Sequence, residues 1–553
     1  MDTAPPASSP APPSPGGSAD APPGAARSLT RNTLLLSAGT LVSRVLGMAR
    51  ETMVAAMFDV GTTDAFFQAW RVPNAFRAML AEGAARYAFN PVFGKALHDG
   101  HDGGDGENRE RLRVVLARVK GAMLLVLGVV TVLGMVFARP LFRVMTAGMH
   151  GDAYRFELGV TLLRLLFPYL FLMGWFAIGN SVLQLLNVFR PGAFAPVMLN
   201  VAFLTVPFAL VPLLRPLGVP PIYSMAIAAL VGGVLQVLWL RPALRRENLL
   251  PSPRLEFDDS VKQLGRLFVP QLYGQAVYQL NVLLAGRFLG SLPEGSPTFF
   301  SYAQRLADIP QGVFAIALSG AAAAALQKDA TRKDFVALAR TYESAIRMAA
   351  FVAVPLCVIL SVYGEAIVPV IFAYGRFRAR GPGAWHEVAA SLRWQALGIG
   401  ALAFVHQTTA VFGALEKRRV VVEAATVSLT VYGLVGYVGS RTLGHAGVAL
   451  AMAASTAAQL AYLLWAVNRE IRPAWSQVAP SLAKVLGATG LTALAARAAV
   501  VHLPVTTGTW SSKLLAVGCG VALVGVYLLA AWVLRCDEMI ALQRRLRSRL
   551  RSH

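Results

Sequence analysis

Between Thr33 and Glu51 the chain reads TLLLSAGTLVSRVLGMARE, apolar enough to sit in a membrane yet carrying Arg44, Arg50 and Glu51. Taken as a helix, Thr33, Ser37, Thr40, Ser43, Arg44, Gly47, Arg50 and Glu51 recur at steps of three and four and draw one polar stripe. An arginine at mid-bilayer costs about 2.5–3.5 kcal/mol on insertion scales. The stripe must therefore face protein or a wet cavity. A second stripe runs Asp64, Gln68, Arg71, Asn74, Arg77 and Glu82, interrupted by Pro73, which frees a backbone carbonyl and permits a kink. A third runs Thr298, Ser301, Arg305 and Asp308 and ends at Pro310 and Gly312. Together they offer Arg44, Arg50, Arg77 and Arg305 to a common space, with Glu51, Asp64, Glu82 and Asp308 as supporting acids. A guanidinium donates two parallel hydrogen bonds to phosphate, and a diphosphate rewards two or three such forks. Asn74, Ser43 and Thr298 can bond sugar or amide groups. The expected chemistry is reversible binding of an anionic substrate in a cationic cavity inside a membrane.

Each group also has a structural alternative. Arg71 and Arg86 can snorkel from helix ends. Asp64 can cap its own helix. Arg44 with Glu51, and Arg305 with Asp308, can form internal ion pairs. Against a purely structural role for all of them stands the cost of keeping intramembrane charge in two separate parts of the chain. Asn187 and Asn200 flank the turn VFRPGAFAP and are gate candidates, with capping and turn roles as alternatives.

The elements that must position these residues are membrane helices. The chain has 553 residues, 56% hydrophobic and 14% charged, where a soluble protein carries about a quarter charged. The fold class expected is all-α: a polytopic membrane protein of about fourteen transmembrane helices. The stretch GEAIVPVIFAYGRF is too short to span and reads as a re-entrant or interfacial piece. A faint repeat pairs AMFDVGTTDAFFQAWRVPN with RFLGSLPEGSPTFFSYAQRLADIP. It suggests two pseudo-symmetric six-helix lobes, 29–246 and 257–470, with the substrate between them. A Pro/Ala-rich disordered tail (1–28), two C-terminal helices (475–536) and a basic tail (537–553) complete the organisation.

The net charge of +22 falls mostly in short loops, which argues for membrane topology rather than a nucleic-acid partner. The Lys/Arg asymmetry places both termini in the cytoplasm, with Arg376, Arg378 and Arg380 as an outer-side exception. The first 26 residues lack the pattern of a signal peptide. Cys357, Cys519 and Cys536 are scattered among apolar residues and have neither metal nor disulfide spacing. No Walker A loop, metal cluster, cofactor motif or nucleophile–His–acid set is present. The expectation is a transporter, not an enzyme, with no cofactor and no metal.

SRVLGMARE at Ser43–Glu51, TDAFFQAWRVPNAFRAMLAEGA at Thr63–Ala84 and FFSYAQRLADIPQGVFAIAL at Phe299–Leu318 resemble the lipid II flippase family, known as MurJ or MviN. That family lies within the multidrug/oligosaccharidyl-lipid/polysaccharide exporter superfamily. The resemblance runs from about Arg31 to the basic tail. It implies fourteen helices in a bacterial cytoplasmic (inner) membrane and export of lipid II, the undecaprenyl-diphosphate-linked peptidoglycan precursor. Its partners would be lipid II, the bilayer and cell-wall synthesis proteins. Matched motif to motif, the family's important arginines fall on Arg44, Arg50, Arg77 and Arg305, its acid on Asp64 and its asparagine on Asn74. The last two helices would form a groove for the lipid tail. The chain departs from the family at Gln304, Glu51 and Ala285, and its eleventh span lacks polar residues for a sodium site. Drive by membrane potential is the better expectation, because a diphosphate moving outward is favoured by an inside-negative potential. The alternatives are export of another polyprenyl-linked glycan or of drugs, or a non-transporting scaffold.

Overall fold

The computed structural model describes residues 39, 42–80, 88–98, 105–540 and 543, and at 105, 270–278 and 310–322 the backbone alone. The tail 1–28, most of the basic tail, Thr33, Ser37, Thr40, Glu82 and Arg86 lie outside the described residues. The described chain is helical and contains no strand, the all-α class expected.

Helix α1 covers residues 42–57 and turns at Phe58 and Asp59 into α2, Val60–Ala78. Then come α3 (Asn90–His98), α4 (Asp105–Val136), α5 (Ala138–Thr146), α6 (Ala153–Leu166), α7 (Pro168–Leu185), α8 (Arg190–Leu214) and α9 (Tyr223–Arg246). The C-terminal half opens with α10 (Asp259–Gly290) and α11 (Ser296–Thr331). It continues through α12 (Phe335–Phe372), α13 (Gly375–Ala379), α14 (Pro382–Ala414) and α15 (Arg418–Glu470). The chain closes with α16 (Trp475–His502) and α17 (Trp510–Val533).

Among the described residues, nine helices are long and apolar enough to cross a membrane. One is α6 with α7, which form a span of 33 residues bent where Phe167 hands over to Pro168 at a first-turn position. Another is the 53-residue α15, which is a hairpin. Gly444, at φ 59° and ψ −137°, breaks the run. A Cβ on Gly439 would stand 2.8 Å from the carbonyl oxygen of Gly447, so the two arms touch backbone to backbone. Lys417 and Glu470, at opposite ends of the run, close it with an ion pair of 2.5 Å. The helices that carry the polar stripes, α1, α2 and α11, are not among the nine. Their polar faces need protein or water beside them.

One sequence expectation shifts. GEAIVPVIFAYGRF is not a separate piece: α12 runs unbroken to Phe372. Tyr363 and Ala366 bury against α16 and α17, so the helix has a packing surface to continue along, and only α13 stands apart.

The α1–α2, α5–α6 and α10–α11 turns and α13 gather at one face, here called upper. Beneath them α10 packs on α2, α5 and α15, and α11 packs on α2, α12 and α14. Helices α16 and α17 lie against α12, where Tyr527 donates to the Phe351 carbonyl at 2.7 Å and Tyr363 to that of Ala516 at 3.0 Å.

Candidate functional site

Two polar groups join the halves of the molecule. The first is built on Glu51, near the end of α1 and 1% exposed. Its Oε1 accepts from Arg50 Nη2 at 2.6 Å and from Arg305 Nε of α11 at 3.1 Å. Its Oε2 is buried with no hydrogen-bond partner among the described residues. Arg305 also faces Asp308, one turn on, with Nη1 3.6 Å from Oδ2. Gln304 donates to Asp308 Oδ1 at 3.0 Å, and Arg44 reaches across from α1 to the Asp308 carbonyl.

Arg50 is fixed from a third side. Its Nη1 donates to Asn200 Oδ1 on α8 at 3.3 Å, and its guanidinium lies 4.9 Å from the centre of the Phe203 ring. The same Asn200 amide donates to the carbonyl and to the hydroxyl of Ser43, each at 3.0 Å. Arg77 Nε donates to Asn74 Oδ1 at 3.2 Å, and both Arg77 and Arg305 lie within electrostatic reach of Arg50. Arg44, Arg50, Arg77 and Arg305, with Ser43, Asn74, Asn200, Glu51 and Asp308, thus form one constellation. The side chains of Arg305 and Asp308 remain 37% and 30% exposed, so an anion can reach them. Paired forks of this kind bind phosphate oxygens, and Glu51 is the group such an oxygen would replace.

The second group is built on Asp64, 0% exposed, in the first turns of α2. Its Oδ2 accepts from the Gly295 N–H at 2.7 Å, and its Oδ1 from the Thr298 N–H at 2.9 Å and the Thr298 hydroxyl at 2.6 Å. Gly295, at φ 97°, occupies the cap position of α11 and has no side chain to fill it. Asp64 supplies that cap from the other half of the chain, where the helix dipole favours an anion. Arg155 of α6 completes the group, with Nη1 3.3 Å from Asp64 Oδ2 and Nε 2.7 Å from Asp152.

Asp64 and Thr298 therefore stand with each other, away from the arginines. Below them Tyr302 stacks on Phe372 at 4.5 Å between ring centres, with Phe67 edge-on at 5.8 Å. At the surface of this face Arg376 of α13 pairs with Asp59, and Arg380 pairs with Glu294 at 2.5 Å. Of the gate candidates, Asn200 belongs to the arginine constellation. Asn187, at φ 61°, is a turn residue whose N–H bonds the Gln184 carbonyl at 3.0 Å past the end of α7. Arg155 is a member of the Asp64 group that sequence reading missed. Its only local signal is the cap pair Asp152–Arg155 opening an apolar helix. Arg71 is not at a helix end: it lies eleven residues into α2, half-buried against the C-terminal half.

The family model described as lipid II flippase MurJ matches residues 53–519. The chain is 30% identical over 434 residues to the lipid II flippase MurJ of Burkholderia cenocepacia, covering 77% of this chain and 81% of that one. It is 30% identical over 430 residues to the probable lipid II flippase MurJ of Bdellovibrio bacteriovorus, covering 76% and 79%. Among solved structures it is similar to a lipid II flippase MurJ in an inward closed conformation, with a TM-score of 0.72 at 19% identity, over 92% of this chain and all of that one. It is less similar to an inward-facing multidrug-resistance MATE transporter, with a TM-score of 0.59 at 17% identity over 77% of this chain and 96% of that one. The motifs that suggested the family lie largely within the matched region, and the chain belongs to the lipid II flippase MurJ family.

Proposed function

We propose that the chain carries the diphosphate-linked head group of lipid II from the inner to the outer leaflet of the bacterial inner membrane by alternating access. The observation that carries this reading is Glu51 shared between Arg50 of α1 and Arg305 of α11. One carboxylate holds together two guanidiniums that belong to different halves, in a position partly open to an anion. Diphosphate entering between Arg50, Arg305, Arg44 and Arg77 takes over the hydrogen bonds that Glu51 now accepts. The halves, acting as lobes 29–246 and 257–470, then re-seal below and open above. A drug exporter for cations would need carboxylates in excess where this chain has arginines.

With the α15 hairpin counted as two crossings and α10 and the stripe-bearing helices α1, α2 and α11 included, the chain crosses fourteen times and both termini are cytoplasmic, as the basic loops favour. The face that carries Asp64 is then the outer one. The undecaprenyl tail stays in the bilayer along α16 and α17. Arg50→Ala or Arg305→Ala should abolish growth rescue of a flippase-depleted strain at normal protein abundance, with lipid II accumulating on the inner leaflet. Unimpaired rescue by either variant would overturn the reading.

A further inference from the structure

Arg71 is a cation that the arginine constellation does not use. It lies about 10 Å along α2 from Asp64 and about 9 Å before Arg77, midway between the two polar groups and near the middle of a hydrocarbon core about 30 Å thick. Its Nε is buried without an acceptor, and among the described residues it has no ion pair. Its guanidinium lies 6.0 Å from the Phe300 ring centre of α11. On α10, Gly286 leaves the space it occupies: a Cβ there would stand 3.4 Å from Arg71 Cδ and 3.3 Å from Gln68 Oε1. From α15, Tyr432 is within electrostatic reach. The stretches 270–278 and 310–322 of α10 and α11 contain no Asp or Glu. A guanidinium held at this depth without an anion is costly, and a buried polar group without a partner calls for one in some state of the protein.

The neighbours of Arg71 indicate when that partner arrives. Asp64, Gln68 and Arg71 follow at steps of four and three on one face of α2. Asp64 binds the start of α11, and Gln68 donates to the Gly286 carbonyl of α10 at 2.9 Å. Parting the upper face must break both contacts, and doing so uncovers Arg71. We propose that Arg71 is a second oxyanion station, which receives the diphosphate head group from the Arg50–Arg305 pair as the upper face opens. This rests on the transport reading above and adds a site to it. The chemistry is that of a phosphate-class anion; the source is the transported head group rather than free phosphate.

The test compares wild type, Arg71→Gln, Arg71→Lys and Arg50→Ala for lipid II binding in detergent and for lipid II translocation in proteoliposomes. Wild-type binding that Arg50→Ala removes verifies the parent reading; wild type without binding overturns both. Arg71→Gln should bind lipid II within about threefold of wild type and translocate at least about tenfold more slowly, with Arg71→Lys recovering part of the rate. Translocation by Arg71→Gln at the wild-type rate overturns the station. So does equal loss of binding and rate in Arg71→Gln, which makes Arg71 part of the first site or of the fold. Inorganic phosphate that alters wild-type translocation but not that of Arg71→Gln, with no difference between the two in its absence, assigns the site to a free anion and overturns the transfer role.

Discussion

The Asp64 group and the Glu51 group use the same ingredients in opposite ways. Each sets a buried carboxylate from the first two helices against α11, and each includes an arginine. Around Asp64 the two oxygens share two N–H groups, a hydroxyl and a guanidinium, and the carboxylate and Arg155 are both buried. Around Glu51 one oxygen carries both arginines, the other carries nothing among the described residues, and Arg305 is 37% exposed. A saturated, sealed carboxylate holds a structure shut. An undersaturated one beside a partly exposed cation is, on the reading proposed above, poised to be displaced. On the function proposed above, saturation rather than residue type is what would separate a lock from a binding site here.

The largest effect should come from breaking the lock. Asp64→Ala leaves the Gly295 and Thr298 N–H groups buried without their acceptor and Arg155 with Asp152 alone, at a cost of about 1–3 kcal/mol for each orphaned N–H in the closed upper face. Amide hydrogen exchange over residues 292–300 should then rise by about a hundredfold or more, whereas Thr298→Val, which removes only the hydroxyl, should raise it by about tenfold or less. If exchange there is unchanged in Asp64→Ala, the lock is misassigned. Glu51→Gln should behave differently. It relieves Arg50 and Arg305 of a competitor, so thermal stability should fall by no more than about 1–2 kcal/mol and affinity for inorganic pyrophosphate should rise. A stability loss as large as that of Asp64→Ala would erase the distinction.

Asn200 offers a finer cut within the open group. It orients Arg50 without itself carrying charge, so Asn200→Ala should weaken lipid II binding by about ten- to a hundredfold, the worth of one hydrogen bond to a charged group. Asn200→Asp should retain the Arg50 contact while losing the donor to Ser43. Binding lost equally in both variants would show that the Ser43 contact, not Arg50, is what Asn200 serves.

Which helices carry the chemistry was legible in the sequence, because charge inside an apolar run has few physical excuses. Arg44, Arg50, Glu51, Arg305 and Asp308 could all be picked out by period alone. How the charges pair was not legible. Periodicity reports which residues share a face, and says nothing about which partner on another helix is nearer. Arg44 and Glu51 share a stripe and yet do not pair: Arg44 reaches the Asp308 carbonyl and Glu51 takes Arg305, 254 positions away. Arg155 was invisible because its role depends on α6 packing against α2. Asn200 sat in a stretch whose prolines drew attention to the turn instead.

The smallest effect should come from the rim of the lock. Arg376–Asp59 connects the same two halves as Asp64, while Arg380–Glu294 braces the α10–α11 turn within the C-terminal half; the side chains of both pairs are 41–59% exposed. Ion pairs in that setting contribute about 0–1 kcal/mol, and salt screens them. Arg376→Gln should therefore shift thermal stability by less than about 2 °C for a chain of this size, and the shift should vanish in high salt. Exchange at residues 292–300 should be nearly unchanged, because the Gly295 and Thr298 amides keep their acceptor in Asp64. A large rise in that exchange at low salt would mean that the rim holds the face shut and Asp64 merely fills the space beneath it. The comparison between the two carboxylates would then have to be drawn between Glu51 and the exposed rim instead.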